Sequence, residues 1–586
     1  MIRNACFLPL LVTLLGCGGE APAPETAAPS EPVASPEPVA DLVLRNGKVV
    51  TVDDANPEAS AIAVVDGRIV AVGSDEDIDS LVGDDTEIVD LAGRLAIPGF
   101  IEGHGHFTSL GQAKMVLDLT KAKSWDEIVA MVEEAASTAP EGAWIQGRGW
   151  HQEKWEEVPW PNVEGLPLHD GLSAVSPNNP VLLGHASGHG SFANAAALEA
   201  GGIDRETLDP PGGEIVRDSD GRPTGALRET AQRIVGEAYQ RYLEKQPPEE
   251  RRQAALKAVE LAAEESLRKG VTSFHDAGSS FETIDFLREL AAAGELPLRL
   301  YVMVRFESNE VMAEKLPEYR RIDEGGGFLT VRSIKRQIDG ALGAHGAWLL
   351  KPYDDLPTST GLVLETPEDI YRTAELAIKH GYQLNTHAIG DRANREVLDL
   401  YQKAMEEAGA DSAALRWRIE HAQHVDPADL PRFAELNIIA SMQGNHCTSD
   451  GPWVSKRLGE WRTRQTSYLW RSFIDAGVVV TNGTDVPVED IDPLVSFYAS
   501  VTRMTVAGPF MPEQVMTREE ALKTYTINAA FSAFEEDDKG SITPGKYADI
   551  VVLSKDILTI PPEEILEAKI DYTLVGGEIR YRRGDS

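Results

Sequence analysis

Eight apolar, strand-like runs alternate with helical patterns along most of this 586-residue chain. No other feature restricts the fold as much. The runs are LAIPGFIEGH, VTSFHDAG, LPLRLYVMV, VRSIKRQIDG, YQLNTHAIG, LRWRIEHAQ, NIIASMQGNH and VVVTNGTD. Helical segments separate most of them, as at 248–269 and 367–380. Such alternation is the signature of a parallel α/β fold. Eight strand–helix units predict a TIM-like (β/α)8 barrel with its active site at the C-terminal strand ends. One interval breaks the rhythm. Strand 1 ends near His106 and strand 2 begins near Val271, so an inserted subdomain is expected at about 107–265. It is rich in Trp (Trp144, Trp150, Trp155 and Trp160), Gly and Pro. Those aromatics line an apolar substrate pocket or simply form its core.

The flanks read differently. DLVLRNGKVVTVD and AIAVVDGRIVAVG alternate apolar with polar residues around Asn-Gly and Asp-Gly turns, which predicts hairpins. The C-terminus repeats the style in ADIVVLSKD and YTLVGGEIRYRRG. Residues 41–94 and 541–586 are therefore expected to form one small, β-sandwich-like domain, and 95–540 the barrel.

The first 40 residues are excluded from the fold. Arg3 is followed by a short apolar stretch, 7–15, too short to span a bilayer. It ends in Leu14-Leu15-Gly16-Cys17, which resembles a bacterial lipobox, so residues 1–17 read as a lipoprotein signal with Cys17 as the lipidated residue. A plain secretory signal with an incidental Cys is the alternative. Residues 18–40, rich in Pro, Ala, Glu and Ser, read as a disordered tether. The expected location is the bacterial cell envelope, anchored by lipid, at the outer membrane or periplasm in a Gram-negative cell. After processing only Cys17 and Cys447 remain, and with Cys17 lipidated no intrachain disulfide is expected.

A formal charge of −39 disfavours nucleic acid and anionic lipid surfaces as partners. The acids are spread along the chain, as on a solvated surface, and form no single block.

The chemistry gathers at the strand ends. His104 and His106 close the first run, and i, i+2 residues on a strand share a face. Alone the pair says little in a chain with 13 histidines. But Lys335 with Asp339 lies in run 4, His387 ends run 5, His421 ends run 6, and Asp485 ends run 8. In a barrel these ends converge. Four imidazoles and a carboxylate suit zinc or a related divalent ion. Such an ion lowers the pKa of a bound water, and Asp485 is placed to move the proton. Gln443 and His446, ending run 7, either contact substrate and polarise its carbonyl or serve as loop hydrogen bonders.

The order His-x-His, Lys, His, His, Asp on strands 1, 4, 5, 6 and 8 resembles the amidohydrolase superfamily. Longer stretches narrow the likeness to its family 3 branch, which includes N-substituted formamide deformylase. They include PGFIEGHGHF, GGEIVRDSDGRPTGALRE, GVTSFHDAG, NTHAIGDRAN, RIEHAQHV, TNGTDVPV and GSITPGKYADIVVL. The resemblance implies metal ligands at His104, His106, His387, His421 and Asp485, with Asp485 also the acid–base residue. It implies that Lys335 is carboxylated by CO2 and bridges two ions. The alternative is an ordinary buried or salt-bridged lysine in a one-ion site. His189, in SGHGSFAN, resembles a substrate-pocket position; packing behind the pocket is its alternative. Asp339–Ala347 reads DGALGAHGA where the family pattern is usually DGSLGSRTA, so no relative's substrate is carried over.

The expected activity is hydrolysis of a non-peptide C–N amide in a small molecule, of N-acyl or N-formyl type. The alternatives are a cyclic amide, an ester or a deamination substrate, or a lipoprotein that binds a ligand without turnover. The complete His set and Asp485 argue against the last.

Overall fold

The computed structural model describes residues 39–584. The proposed signal, lipobox and tether residues up to 38 lie outside this range. The barrel strands are β1 (Phe100–Gly105), β2 (Val271–Ser279), β3 (Arg299–Val304), β4 (Leu329–Gln337), β5 (Gln383–Ala388), β6 (Arg418–His421), β7 (Ile439–Gln443) and β8 (Val480–Gly483). They are parallel neighbours in sequence order. Each overlaps its run read from sequence, with Gly105, Ser279 and Leu329–Thr330 extending past three of the runs, and the fold is a TIM-like α/β barrel. Strands such as β3 (RLYVMV) and β5 (QLNTHA) are buried along their whole length. This is the burial a parallel sheet covered on both faces imposes.

The barrel closes where the site will lie. The Asp485 amide donates to the His104 carbonyl and the His106 amide to the Val486 carbonyl, each at 2.7 Å. One turn deeper, Glu102 accepts from the Thr484 amide at 2.6 Å and the Thr484 hydroxyl at 3.0 Å. Glycine at 103 is required by this seam: a Cβ there would stand 2.3 Å from the Asn482 carbonyl oxygen. The main apolar core runs between the barrel strands and the outer helices, with Trp417, Tyr401, Phe274 and Leu287 fully buried.

The chain ends build two further sheets. One has the order Arg68–Gly73, Ala61–Val65, Leu42–Arg45, Glu87–Asp90. The other has the order Glu578–Arg582, Ile570–Val575, Ile550–Leu553, Leu95–Pro98, Lys48–Val50, Glu58–Ala59. Leu44, Ile62 and Val64 of the first pack with Val49, Val552 and Leu574 of the second. The result is a sandwich assembled from both ends.

Two local expectations are corrected. LAIPGFIEGH is not one strand. Leu95–Pro98 belongs to the sandwich and Phe100–Gly105 to the barrel, with the break at Gly99. Asn46-Gly47 does not close a hairpin either, since Leu42–Arg45 and Lys48–Val50 lie in different sheets. The Asp66-Gly67 and Gly576-Gly577 hairpins do form. Ala40, read as the end of the tether, is buried, and its amide donates to the Leu81 carbonyl at 2.8 Å.

Between β1 and β2 stands a six-stranded mixed sheet running from Leu117–Asp118 to Pro223–Glu229 in the chain. Trp150 stacks on Trp155, with 6.0 Å between ring centroids, over a core that includes Trp125 and Phe192. Trp144 packs on Tyr239 and Tyr242. Trp160 is 90% exposed. Core is thus the main use of three of the four tryptophans. Trp150 also reaches the cavity described below.

Candidate metal centre

His104 sits in β1, and His106 follows it as the N-cap of the helix Phe107–Ala113. Lys335 lies in β4, His387 in β5 and His421 at the end of β6. His446 occupies the first turn of the helix Gly444–Thr466 after β7, and Asp485 lies two residues past β8. His421 has φ 74° and Asp485 φ 57°. A non-glycine residue held in the left-handed region costs energy and clusters at functional sites. At His421 the turn breaks the alternation of β6, so that Glu420 and His421, though adjacent, both reach the centre.

The groups converge on Asp485. Its Oδ1 is 3.2 Å from His106 Nε2 and 3.6 Å from His104 Nε2, and its Oδ2 is 4.0 Å from His446 Nε2. Ligand atoms of His104, His106 and Asp485 lie within 4.8 Å of one another, as do those of His421, His446 and Asp485. The His387 ring centroid is 4.5 Å from that of His421, although His387 belongs to neither set. Lys335 Nζ is 3.4 Å from His104 Nε2.

The donor atoms fit a cation. His387 Nε2, His446 Nε2 and Asp485 Oδ1 are buried without a hydrogen-bond partner. Buried polar atoms are normally satisfied, and His446 and Asp485 belong to one candidate donor set, so their two atoms call for a missing partner. Imidazole nitrogen and carboxylate oxygen are the donors a divalent transition ion takes. Burial, aided by the Lys335 charge, pushes the His104 pKa down to about 4, which keeps the ring neutral, the form that binds metal. Burial likewise pushes Lys335 down to about 7, with Glu420 opposing.

A ring of buried polar groups orients these donors. His104 Nδ1 bonds the Glu420 carboxylate, which leaves Nε2 facing Asp485. Arg418 grips Glu420 through Nε at 2.7 Å and Nη2 at 3.0 Å, and also reaches the Gly103 carbonyl and the Ser441 hydroxyl. His275 touches Arg418, 3.2 Å away, and not the centre. Gln443 Oε1 is 2.7 Å from His421 Nδ1, so this side chain fixes a histidine. Asp339 accepts three amides, from Trp348, Ile389 and Gly390, and its Oδ1 lies 3.4 Å from His387 Nε2. Sequence reading passed over Glu420, Arg418 and Glu102. The one available signal was charge at alternate positions inside apolar runs, as in RIEH.

The sequence profile of the Amidohydrolase family matches residues 87–581. The chain belongs to the amidohydrolase family. It is 34% identical to Protein LONG AFTER FAR-RED 3 of Arabidopsis thaliana over 93% of this chain and 92% of that one. It is 30% identical to N-substituted formamide deformylase of Arthrobacter pascens over 93% and 99%. Among solved structures, an uncharacterised metal-dependent hydrolase from Pyrococcus horikoshii superposes with TM-score 0.71 at 26% identity, covering 89% of this chain and 99% of that one. This amidohydrolase is therefore an enzyme, a metal-dependent hydrolase of carbon–nitrogen bonds other than peptide bonds.

Above the centre lies a cavity of about 1820 Å³. His104, His387, His421 and Asp485 form its floor, and Trp150, Arg148 and His189 come from the insertion sheet. The amidohydrolase thus lines one cavity with both its strand ends and the extra subdomain. His189 Nδ1 bonds Glu229 Oε2 at 2.8 Å, and its ring lies 5.8 Å from that of His387. Burial, the largest single effect, works against a proton on His189, but the charge and hydrogen bond of Glu229 together with the Asp485 and Asp339 charges outweigh it and raise its pKa.

Proposed function

We propose that this amidohydrolase cleaves a non-peptide amide of N-acyl or N-formyl type, releasing a carboxylic acid and an amine. His104, His106, His387, His421 and Asp485 would hold one or two divalent ions, most simply zinc, with His446 completing the second donor set. The observation that carries this reading is the pair of orphaned donor atoms on His446 and Asp485, two members of one candidate donor set that lines the cavity. A divalent ion there supplies Lewis acidity and activates water. Asp485 takes the proton from the attacking water at a carboxylate oxygen and delivers it to the leaving nitrogen as the tetrahedral intermediate collapses. Glu420 and Gln443 keep His104 and His421 turned so that their free nitrogens face the centre. Likeness to the formamide deformylase supports the amide over ester or deamination chemistry. The test combines elemental analysis with turnover on a panel of formyl amides, acyl amides, a cyclic imide and an ester. Bound metal with amide cleavage is expected. A metal-free protein that stays inert after addition of zinc, manganese or cobalt overturns the reading.

Lys335 decides between one ion and two. An ammonium cannot ligate a metal, and Nζ stands only 3.4 Å from a nitrogen proposed to do so. Carboxylation by CO2 resolves this conflict by making the lysine an anionic bridge. Lys335→Ala is then expected to lower both metal content and activity, and a short carboxylic acid such as acetate should partly restore both. Full metal content in Lys335→Ala overturns the bridge and leaves the hydrolase standing.

We further propose that Cys17 anchors the enzyme to a bacterial envelope membrane. Among the described residues no helix is long and apolar enough to cross a membrane. Cys17→Ser should therefore move the protein from the membrane to the soluble fraction. Unchanged membrane fractionation overturns the anchor.

A further inference from the structure

We propose that the substrate amide carries an anionic group, a carboxylate or a phosphate, and that Arg148 and Arg305 on the cavity wall receive it. The inference rests on the hydrolase reading above. Five arginines line the cavity. Arg228 is ion-paired with Glu164 at 2.7 Å and Glu214 at 2.6 Å, and Arg457 with Asp355. Arg233 is exposed, so water solvates it. Arg148 and Arg305 are half-buried, and among the described residues neither forms an ion pair.

Only neutral groups hold the two side chains. Arg148 lies on the strand Ile145–Trp150, where it shares a face with Gln146 and Trp150, and all three reach the cavity. Its one side-chain bond runs from Nη2 to the Ala186 carbonyl at 3.3 Å, and its Nε is buried with no partner. Arg305 follows β3 directly. Its Nη2 donates to Gln337 Oε1 at 2.6 Å and its Nη1 to the Ala277 carbonyl at 3.4 Å. Gln337 stands two residues beyond Lys335 on β4 and shares its face, so it holds Arg305 on the side of the metal centre. The backbone leaves room: Gly278 has φ 134°, and a Cβ there would stand 2.3 Å from Arg305 Cδ.

A charge withdrawn from water without a counter-charge destabilises a fold. This chain has 94 acidic residues against 55 basic ones, yet pairs none with either guanidinium. Glu365, the carboxylate that acts most on Arg305, is 3.4 Å from Arg336 instead. Asp450 and Glu489, on the wall after β7 and β8, bond the hydroxyls of Tyr468 and Ser449 at 2.6 and 2.7 Å. In an eight-stranded barrel β3 and β7 stand opposite each other, so the segment that carries Asp450 starts across the mouth from Arg305. The planar fork of a guanidinium matches the oxygens of a carboxylate or a phosphate. A substrate anion supplies the counter-charge, and a neutral analogue leaves both guanidiniums without one.

The test uses the metal-loaded enzyme and matched amides that differ only in one end group: a carboxylate, a phosphonate or a neutral carboxamide, set one to four carbons from the scissile bond on either half. Hydrogen bonds to charged groups give about 10–100-fold selectivity, so the best anion should exceed its carboxamide by at least about 10-fold in kcat/KM, mainly through KM. Whichever of carboxylate and phosphonate is preferred identifies the anion. The Arg148→Gln/Arg305→Gln double variant should bring the ratio close to one with metal content unchanged. Arg148→Lys/Arg305→Lys, which keeps the charge but not the fork, should retain part of it. A wild-type ratio within twofold of one across the whole series overturns the inference, and so does an undiminished ratio in the folded glutamine variant. Wild-type protein that is inert on every compound marks failure of the hydrolase reading instead, and calorimetric binding of the same matched compounds then decides the inference by the same ratio.

Discussion

His104→Ala is expected to strip the enzyme of metal and abolish turnover, the largest effect of any single substitution here. His104 is 1% exposed, bonds Glu420 through Nδ1 and turns Nε2 toward Asp485. Its removal deletes a donor outright. Loss of an orienting group behind a ligand costs roughly 10–100-fold in metal affinity or activity, and loss of the ligand should exceed that. Glu420→Gln provides the comparison. It keeps an acceptor for His104 Nδ1 but removes the charge that Arg418 grips, so its loss should fall inside the 10–100-fold range. The fold should survive His104→Ala, because Glu420 retains Arg418 and the β1–β8 seam is made by backbone groups. Elemental analysis after dialysis, with circular dichroism as the folding control, reads the result. A folded His104→Ala protein with full metal content overturns the proposed ligand set.

How much of this was legible in sequence depends on how local the signal is. The eight strand ends could be read because each rests on a short apolar run that a parallel sheet must bury. Their convergence then follows from barrel geometry. Partnerships across sheets left no such trace. Asn46-Gly47 looks like a hairpin turn, yet the Leu42–Arg45 and Lys48–Val50 strands part to opposite layers of the sandwich. Strand parity misled at the centre as well. On a regular strand Glu420 and His421 would face opposite ways, and only the left-handed turn at His421 brings both inward. A single sequence gives no sign of that φ. His446, expected from sequence to contact substrate or serve as a loop hydrogen bonder, also stands in a candidate donor set with His421 and Asp485. The helix that starts directly after Gln443 carries it there.

The Asp485→Asn variant separates proton transfer from metal binding. Asparagine matches aspartate in size and tolerates the left-handed backbone, here φ 57°, better than most residues. The Asp485 amide that closes the barrel against His104 is untouched. What changes is the side chain: an amide cannot accept the proton of the attacking water. A positioned acid–base group contributes about 10²–10⁴-fold, so kcat should fall by at least 100-fold with excess metal present. KM should move little, because the proton moves only on the way to the transition state. Metal affinity should also drop, since Asp485 joins both donor sets, and assays at saturating metal remove that contribution. Turnover near the wild-type level in the metal-replete variant would assign the proton to another group. His106 and His446 would be the first to substitute next, because their Nε2 atoms lie 3.2 and 4.0 Å from the Asp485 carboxylate.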